Sequence, residues 1–221
     1  MIVFYGDPHG NFDAFHESVQ KDRPSAGIML GDLDLERPFE EEVADFLATG
    51  APLWWIVGNH DTDADHWHDN LFGSKLAEQN ISGRVIEVTG IRIAGLGGVF
   101  RGAVWDPRMG PPRFHTRDEF IAANKKLIWR GGLPRKHRST IFPEDIEALS
   151  SLRADILVCH EAPSTHQFGF AVIDDVARKI GARTIIHGHH HRPYEDLLPD
   201  GIKVVCVEKA GLFRLPGRSQ S

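Results

Sequence analysis

Histidine, aspartate and asparagine recur in this chain in short groups, most of them flanked by glycine. They read Gly6-Asp7-Pro8-His9-Gly10-Asn11, Gly31-Asp32, Gly58-Asn59-His60-Asp61, His160-Glu161 and Gly188-His189-His190-His191. Thirteen histidines stand among 221 residues, and imidazole is both the commonest metal ligand and the side chain best suited to proton transfer near neutral pH. Any one group taken singly reads as a turn, a cap or a solvated loop. As an ordered set, Asp7, His9, Asp32, Asn59, His160, His189 and His191 offer seven nitrogen and oxygen donors. That exceeds what one tetrahedral ion takes and suits two ions with open positions, the arrangement that clamps the oxygens of an in-line displacement. Two divalent cations bring four positive charges and the two aspartates remove two, a balance matched to a phosphate group. A water bridging such ions has a lowered pKa and acts as a hydroxide nucleophile near neutral pH. Imidazole and carboxylate without thiolate favour transition metals, manganese first, with iron or zinc as alternatives. His60, next to Asn59, is placed to face a substrate and to protonate or stabilise a leaving oxygen. Asp61 is expected to orient His60 or to cap the helix that follows.

Those residues need elements to hold them. Short apolar runs at 1–5, 27–30, 53–57, 156–159 and 184–186 read as buried strands. Asp7, Asp32, Asn59, His160 and the 187–191 histidines each follow the carboxyl end of one such run, the edge where open α/β sheets place their ligands. Runs 85–88 and 91–96 flank Thr89-Gly90 and read as a hairpin, and 203–207 reads as the last strand. Asn11 offers an N-cap to a helix with Phe12, Phe15 and Val19 on one face. Phe39, Val43, Phe46 and Leu47 predict one helix ended by Gly50. Pro143 opens a helix to about residue 152, Val172, Val176 and Ile180 mark another, and 217–221 reads as a frayed tail. Strands alternating with helices predict an α/β architecture.

Composition narrows the classes. Hydrophobic residues make up 41% and charged residues 25%, which excludes disordered, collagen-like and coiled-coil chains. The length predicts a single domain, 1–221, carrying an insertion. The longest apolar run, 53–57, is far short of the roughly 18 residues a membrane span needs, and no signal-peptide pattern opens the chain. Cys159 and Cys206 stand in β-branched runs, which predicts a reducing, cytoplasmic setting. A net charge of −6 argues against a general affinity for nucleic acid or anionic membrane.

Residues 99–142 are too many for a plain connection and are expected to form a basic insertion or lid. Thr116-Arg-Asp-Glu119 predicts a capping box, starting a helix through Phe120, Ile121, Leu127 and Ile128 that Gly131-Gly132 ends. Residues 101–138 hold ten Lys or Arg against three acids, a local charge of +7, together with Trp105 and Trp129. One reading is a cationic, partly aromatic cover that draws a phosphorylated small molecule, a nucleotide or a nucleic-acid end. The other is a solvated helix face with core tryptophans. Arg101, soonest after the 91–96 strand, is the candidate contact to a substrate phosphate.

In order, spacing and strand context, the five groups resemble the motif blocks of calcineurin-like metallophosphoesterases. The resemblance implies a four-layer αββα sandwich, two mixed β-sheets flanked by helices, with a dinuclear metal centre. By position it implies Asp7, His9 and His191 on one ion and Asn59, His160 and His189 on the other. Asp32 would bridge them and His60 would be the catalytic histidine. His190 is then a bystander, and His187 a rival ligand only if the register slips by one. Phosphoprotein phosphatases carry Gly-Asp-x-Val-Asp-Arg-Gly in the second block, where this chain reads Gly31-Asp-Leu-Asp-Leu-Glu-Arg37. The aspartate that pairs with the catalytic histidine and the arginine beside it are thus missing from their places; Asp34 is one position early and reads as a turn residue. The implied activity is metal-dependent hydrolysis of a phosphate ester, with a phosphodiester or nucleotide favoured. A phosphomonoesterase or serine/threonine protein phosphatase is the alternative. A non-catalytic binding module on the same fold is the third, and the filled ligand positions speak against it.

Overall fold

The structure is a computed structural model and describes residues 1–216; the expected frayed tail lies outside the described residues. The chain opens with β1 (Ile2–Gly6), α1 (Asp13–Asp22), β2 (Ala26–Met29), two short helices α2 (Phe39–Glu42) and α3 (Ala44–Ala48), and β3 (Leu53–Trp55). Next come α4 (Asp65–Phe72) and the hairpin β4 (Val85–Val88) with β5 (Ile91–Leu96). Then follow α5 (Arg117–Ala123), α6 (Pro143–Ser150), β6 (Ile156–Cys159), α7 (Ala171–Ile180) and β7 (Thr184–His187). The last strands are β8 (Tyr194–Leu197), β9 (Lys203–Cys206) and β10 (Gly211–Leu215).

These strands form two mixed sheets. The first runs β10-β1-β2-β3, parallel except for β10. The second runs β4-β5-β6-β7-β9-β8, with a parallel centre and antiparallel β4 and β8 at its edges. Side chains alternate across each strand. On β1, Ile2 and Phe4 point between the sheets to meet Ile28, Val158, Ile186 and Val205. Val3 and Tyr5 point outward to Phe15, Val19 and Phe46 of α1 and α3. On β6, Ile156 and Val158 face inward, while Leu157 and Cys159 pack under Leu149, Ile173, Val176 and Ile180 of α6 and α7. The layers are therefore αββα, and strands buried on both faces read as continuous apolar runs.

Three expectations need correction. The helix predicted over Phe39–Leu47 is two helices broken at Val43, whose backbone leaves the helical region at φ −108° and ψ 26°. Phe39, Val43 and Phe46 reach the same core either way, so spacing could not report the break. β9 is not the last strand, because β10 pairs antiparallel with β1. Within the insertion the capping box forms, with Thr116 Oγ1 accepting from Glu119 N at 3.2 Å, but α5 ends at Ala123. Asn124 closes it by donating from its side chain to Phe120 O at 2.8 Å, leaving Leu127 and Ile128 59% and 42% exposed.

The basic segment is anchored to the body of the protein. Its ends are pinned together, with Val99 N donating to Ser139 O and Ile141 N to Val99 O, both at 3.0 Å. Val104, Phe120, Leu133 and Phe142 form a small core inside it. Four of its ten basic side chains are paired: Arg108 with Asp106, Arg117 with Glu144 and Asp145, Arg130 with Asp69, and Arg135 with Asp65. Trp105 packs edge-on against Phe100 at 5.4 Å, and Trp129 lies beneath the guanidiniums of Arg130 and Arg138 at 4.2 and 4.9 Å. Both indoles are thus committed to packing, as the second reading of this segment has them. No helix among the described residues is long and apolar enough to cross a membrane.

Candidate metal centre

The parallel strands β1, β2 and β3 of one sheet and β6 and β7 of the other end at the same edge. The loops that leave them hold their residues in costly backbone conformations. Asp7, His9, Asp32, His189 and His191 have φ of 41°, 45°, 54°, 70° and 60°. Left-handed backbone costs a non-glycine residue of order 1–3 kcal/mol and persists only where the surroundings over-determine it. Two glycines leave room for the convergence. A Cβ on Gly58 would stand 2.2 Å from Asp32 Oδ1, and one on Gly188 2.6 Å from Asp7 Oδ2.

Two groups of side chains share Asp32, and a third, Glu161, His189 and His190, shares His189 with the second. His160 Nδ1 donates to the Leu30 carbonyl at 2.7 Å, which turns its Nε2 to Asn59 Oδ1 at 3.2 Å and Asp32 Oδ2 at 3.3 Å. His9 Nδ1 donates to Asp34 at 2.8 Å, which turns its Nε2 to His191 Nε2 at 3.1 Å and Asp32 Oδ2 at 3.8 Å. A ligating imidazole is oriented in this way, by a carbonyl or carboxylate on its other nitrogen. Donor atoms of His9, Asp32 and His191 lie within 4.8 Å of one another, and so do those of Asp32, His160 and His189. Atoms sharing a cation at about 2.1 Å stand roughly 3.0–3.4 Å apart, so each group fits a divalent ion with a small contraction. Asp7 completes the cluster: both its carboxylate oxygens accept from His189 N, at 3.0 and 2.9 Å.

The electrostatics call for positive charge. Asp7 and Asp32 are buried. Burial pushes Asp7 up to about 6 against the pull of His160. It works to raise Asp32 as well, but the His160 charge holds that carboxyl well below its usual range. Burial also opposes a charge on His160, yet Asp32 and then Asp7 push the ring up to about 10. Burial, then His160, drives His189 down to about 3, which leaves its ring neutral and fit to ligate.

His60 borders the cluster, its ring 5.2 Å from that of His9 and 44% of its side chain exposed. Its Nδ1 lies 2.8 Å from Asp63 Oδ2, a carboxylate that sequence reasoning missed. The pairing depends on the 3-10 turn His60–Thr62, and spacing alone carried no signal for it. Asp34, expected as a turn residue, instead fixes His9. Asp61 neither orients His60 nor caps a helix. It is buried, and accepts from the backbone amides of Asp32 at 3.1 Å and of Gly58 and Leu33 at 2.7 Å, tying the second loop to the third. Burial and then Asp32 push its carboxyl up to about 7.

Arg101 lies within electrostatic reach of Asp63, Glu161 and Asp32. It donates from Nη2 to Ser139 Oγ at 3.2 Å, and its Nε is buried without a partner. His187 turns away from the cluster, its Nε2 2.8 Å from the Tyr194 hydroxyl. His190 stacks on His166 with ring centres 3.7 Å apart.

Comparison with known proteins gives a consistent picture. A family model described as calcineurin-like phosphoesterase matches residues 1–193. An uncharacterized protein of Haemophilus influenzae is 44% identical over 194 residues, 88% of this chain and 84% of that one. Among solved structures, TT1561 of Thermus thermophilus is similar over 95% of this chain and 89% of its own, at 13% identity and a TM-score of 0.59. A dimetal phosphatase from Danio rerio is similar over 95% of this chain and 88% of its own, at 13% identity and a TM-score of 0.57. At such identities the two structures speak for the fold.

Proposed function

The chain belongs to the calcineurin-like phosphoesterase family, and from that premise we propose that it hydrolyses phosphodiesters or nucleotides at the cluster around Asp32. The convergence of seven nitrogen and oxygen donors from five strand ends carries this reading. Asp7, His9, Asp32 and His191 would hold one divalent cation, and Asp32, Asn59, His160 and His189 a second, with manganese first and iron or zinc as alternatives. Such cations, when bound, polarise phosphoryl oxygens and supply a nucleophile from water at neutral pH.

The remaining chemistry belongs to the chain. Asp32 reaches both donor groups and sets their spacing. Asp63 Oδ2 lies 2.8 Å from His60 Nδ1 and holds that side of the ring, which leaves the opposite nitrogen to face the leaving oxygen and deliver a proton to it. Arg101 brings one positive charge to one phosphate oxygen. A diester carries one negative charge and a monoester close to two. The position of the second-block arginine of the phosphoprotein phosphatases is taken by Glu36, and the neighbouring Arg37 is bound to Glu42 at 2.7 and 3.1 Å. That difference favours the diester. The reading treats 1–221 as one domain, with residues 99–142 as the flap that brings Arg101 to the rim.

The test compares bis(p-nitrophenyl) phosphate with p-nitrophenyl phosphate, first in chelator and then with manganese. Turnover that requires metal and is faster on the diester is expected. A monoester preference overturns the substrate assignment, and metal-independent or absent turnover overturns the catalytic one.

A further inference from the structure

Phe168 stands in the loop between β6 and α7, which leaves its sheet at the same edge as the donors because it begins at His160. The ring is 57% exposed, more than any other Phe, Tyr or Trp among the described residues. Its backbone is held from several sides. Phe170 N donates to Ala162 O at 3.0 Å and Gly169 N to His166 O at 2.8 Å. Ser164 N donates to Asp174 at 3.0 Å, and the Thr165 and Tyr194 hydroxyls stand 3.2 Å apart. Arg108, from the flap, donates to Phe168 O at 3.0 Å. A Cβ on Gly169 would stand 1.8 Å from Pro163 O, so the loop closes on itself there. A lone exposed apolar side chain is ordinary. One displayed on a fixed backbone beside a donor cluster offers a flat face that has little freedom left to lose on binding.

His166 adds a polar edge to that face. Phe168 N donates to His166 Nδ1 at 3.3 Å, which places the proton of the neutral ring on Nε2. That N–H makes no hydrogen bond among the described residues. The His166 and Phe168 rings stand 5.7 Å apart and 56° from parallel, an open corner with one apolar wall and one donor. His166 stacks on His190 with ring centres 3.7 Å apart, and His190 lies against His189 with ring centres 4.8 Å apart. Two ring contacts thus join the corner to the donor cluster.

Building on the phosphoesterase reading above, we propose that this corner is a base subsite: it takes a purine or pyrimidine joined to the phosphate that the donor cluster serves. The base stacks on Phe168 and accepts from His166 Nε2. Chemistry sets the class. An aromatic face alone stacks on any planar ring, whereas a donor at its edge asks for a ring that carries an acceptor nitrogen or a carbonyl oxygen. The substrate is then a nucleotide rather than a simple diester.

Titration calorimetry on the manganese-loaded full chain tests this with AMP against ribose 5-phosphate, ligands that differ only in the base. AMP is expected to bind roughly tenfold or more tightly. Phe168→Ala, with folding checked by circular dichroism, is expected to bring AMP down to the ribose 5-phosphate affinity. His166→Phe keeps a ring against His190 and removes the donor, and is expected to lose about fivefold on AMP. Equal affinities in the wild type, or a base preference that survives Phe168→Ala, would overturn the subsite; full AMP affinity in His166→Phe would overturn the hydrogen bond. Metal-dependent turnover of bis(p-nitrophenyl) phosphate, read on the same wild-type preparation, separates the two readings. Turnover without a base preference overturns this inference alone. Absent turnover overturns the catalytic reading, and the AMP comparison still decides whether the corner binds a base.

Discussion

Asp63 Oδ2 lies 2.8 Å from His60 Nδ1, and the proposed mechanism gives it the place of the carboxylate that the second motif block lacks. His60→Gln is therefore expected to lower kcat on a diester by about 10²–10⁴ with bound metal unchanged, and Asp63→Asn to lower it by a smaller factor in the same sense. Full turnover in His60→Gln, measured beside metal content, would remove the histidine from the mechanism. Asp61 makes a different prediction. Asp61→Ala strands three buried amides, those of Asp32, Leu33 and Gly58. It should cost about 3 kcal/mol or more in a denaturant titration, whereas a solvent-facing cap would cost about 1 kcal/mol. The donors themselves were legible because their types are rare together and each follows an apolar run. Asp61 was not, since a carboxylate after a Gly-Asn-His turn looks the same whether it caps a helix or ties two loops. Asp63 was not, because its pairing exists only once residues 60–62 wind into a 3-10 turn.

At the scale of elements, the buried strands could be read, and the edge strands β8 and β10 and the connections could not. β1, β2, β6 and β7 are apolar on both faces because each lies between a second sheet and a helix layer. The break at Val43 keeps the apolar spacing intact, and β8 is a polar, largely exposed edge strand with no apolar signal. The loops between strand and ligand depend on close backbone approach. Gly58→Ala sets a Cβ 2.2 Å from Asp32 Oδ1 and 2.3 Å from Asp32 N. That substitution should cost roughly 1–3 kcal/mol and weaken metal binding, measured by melting temperature with and without manganese. An unchanged melting temperature in both conditions would show that the loops are looser than their packing indicates.

Across the whole molecule, opposite charges hold the basic segment to the body. Arg130 and Arg135 reach Asp69 and Asp65 of α4, while Arg117 grips Glu144 and Asp145 of α6. Part of the local +7 in the sequence is thus structural, which composition could not distinguish from a ligand-facing patch. Arg101 is held by Ser139 and lies within reach of the carboxylates of Asp63, Glu161 and Asp32. Arg101→Ala should raise KM for a diester about tenfold and leave metal content unchanged; an unchanged KM would assign the phosphate contact elsewhere. The account rests most heavily on Asp32 as the residue common to two donor groups. The direct test is metal content per chain, read by elemental mass spectrometry on manganese-loaded wild type and Asp32→Ala, with folding checked by circular dichroism. Two ions in the wild type, with both lost or greatly weakened in the variant along with turnover, is the predicted result. A single ion in the wild type, or two ions and full turnover in a folded Asp32→Ala, would contradict it.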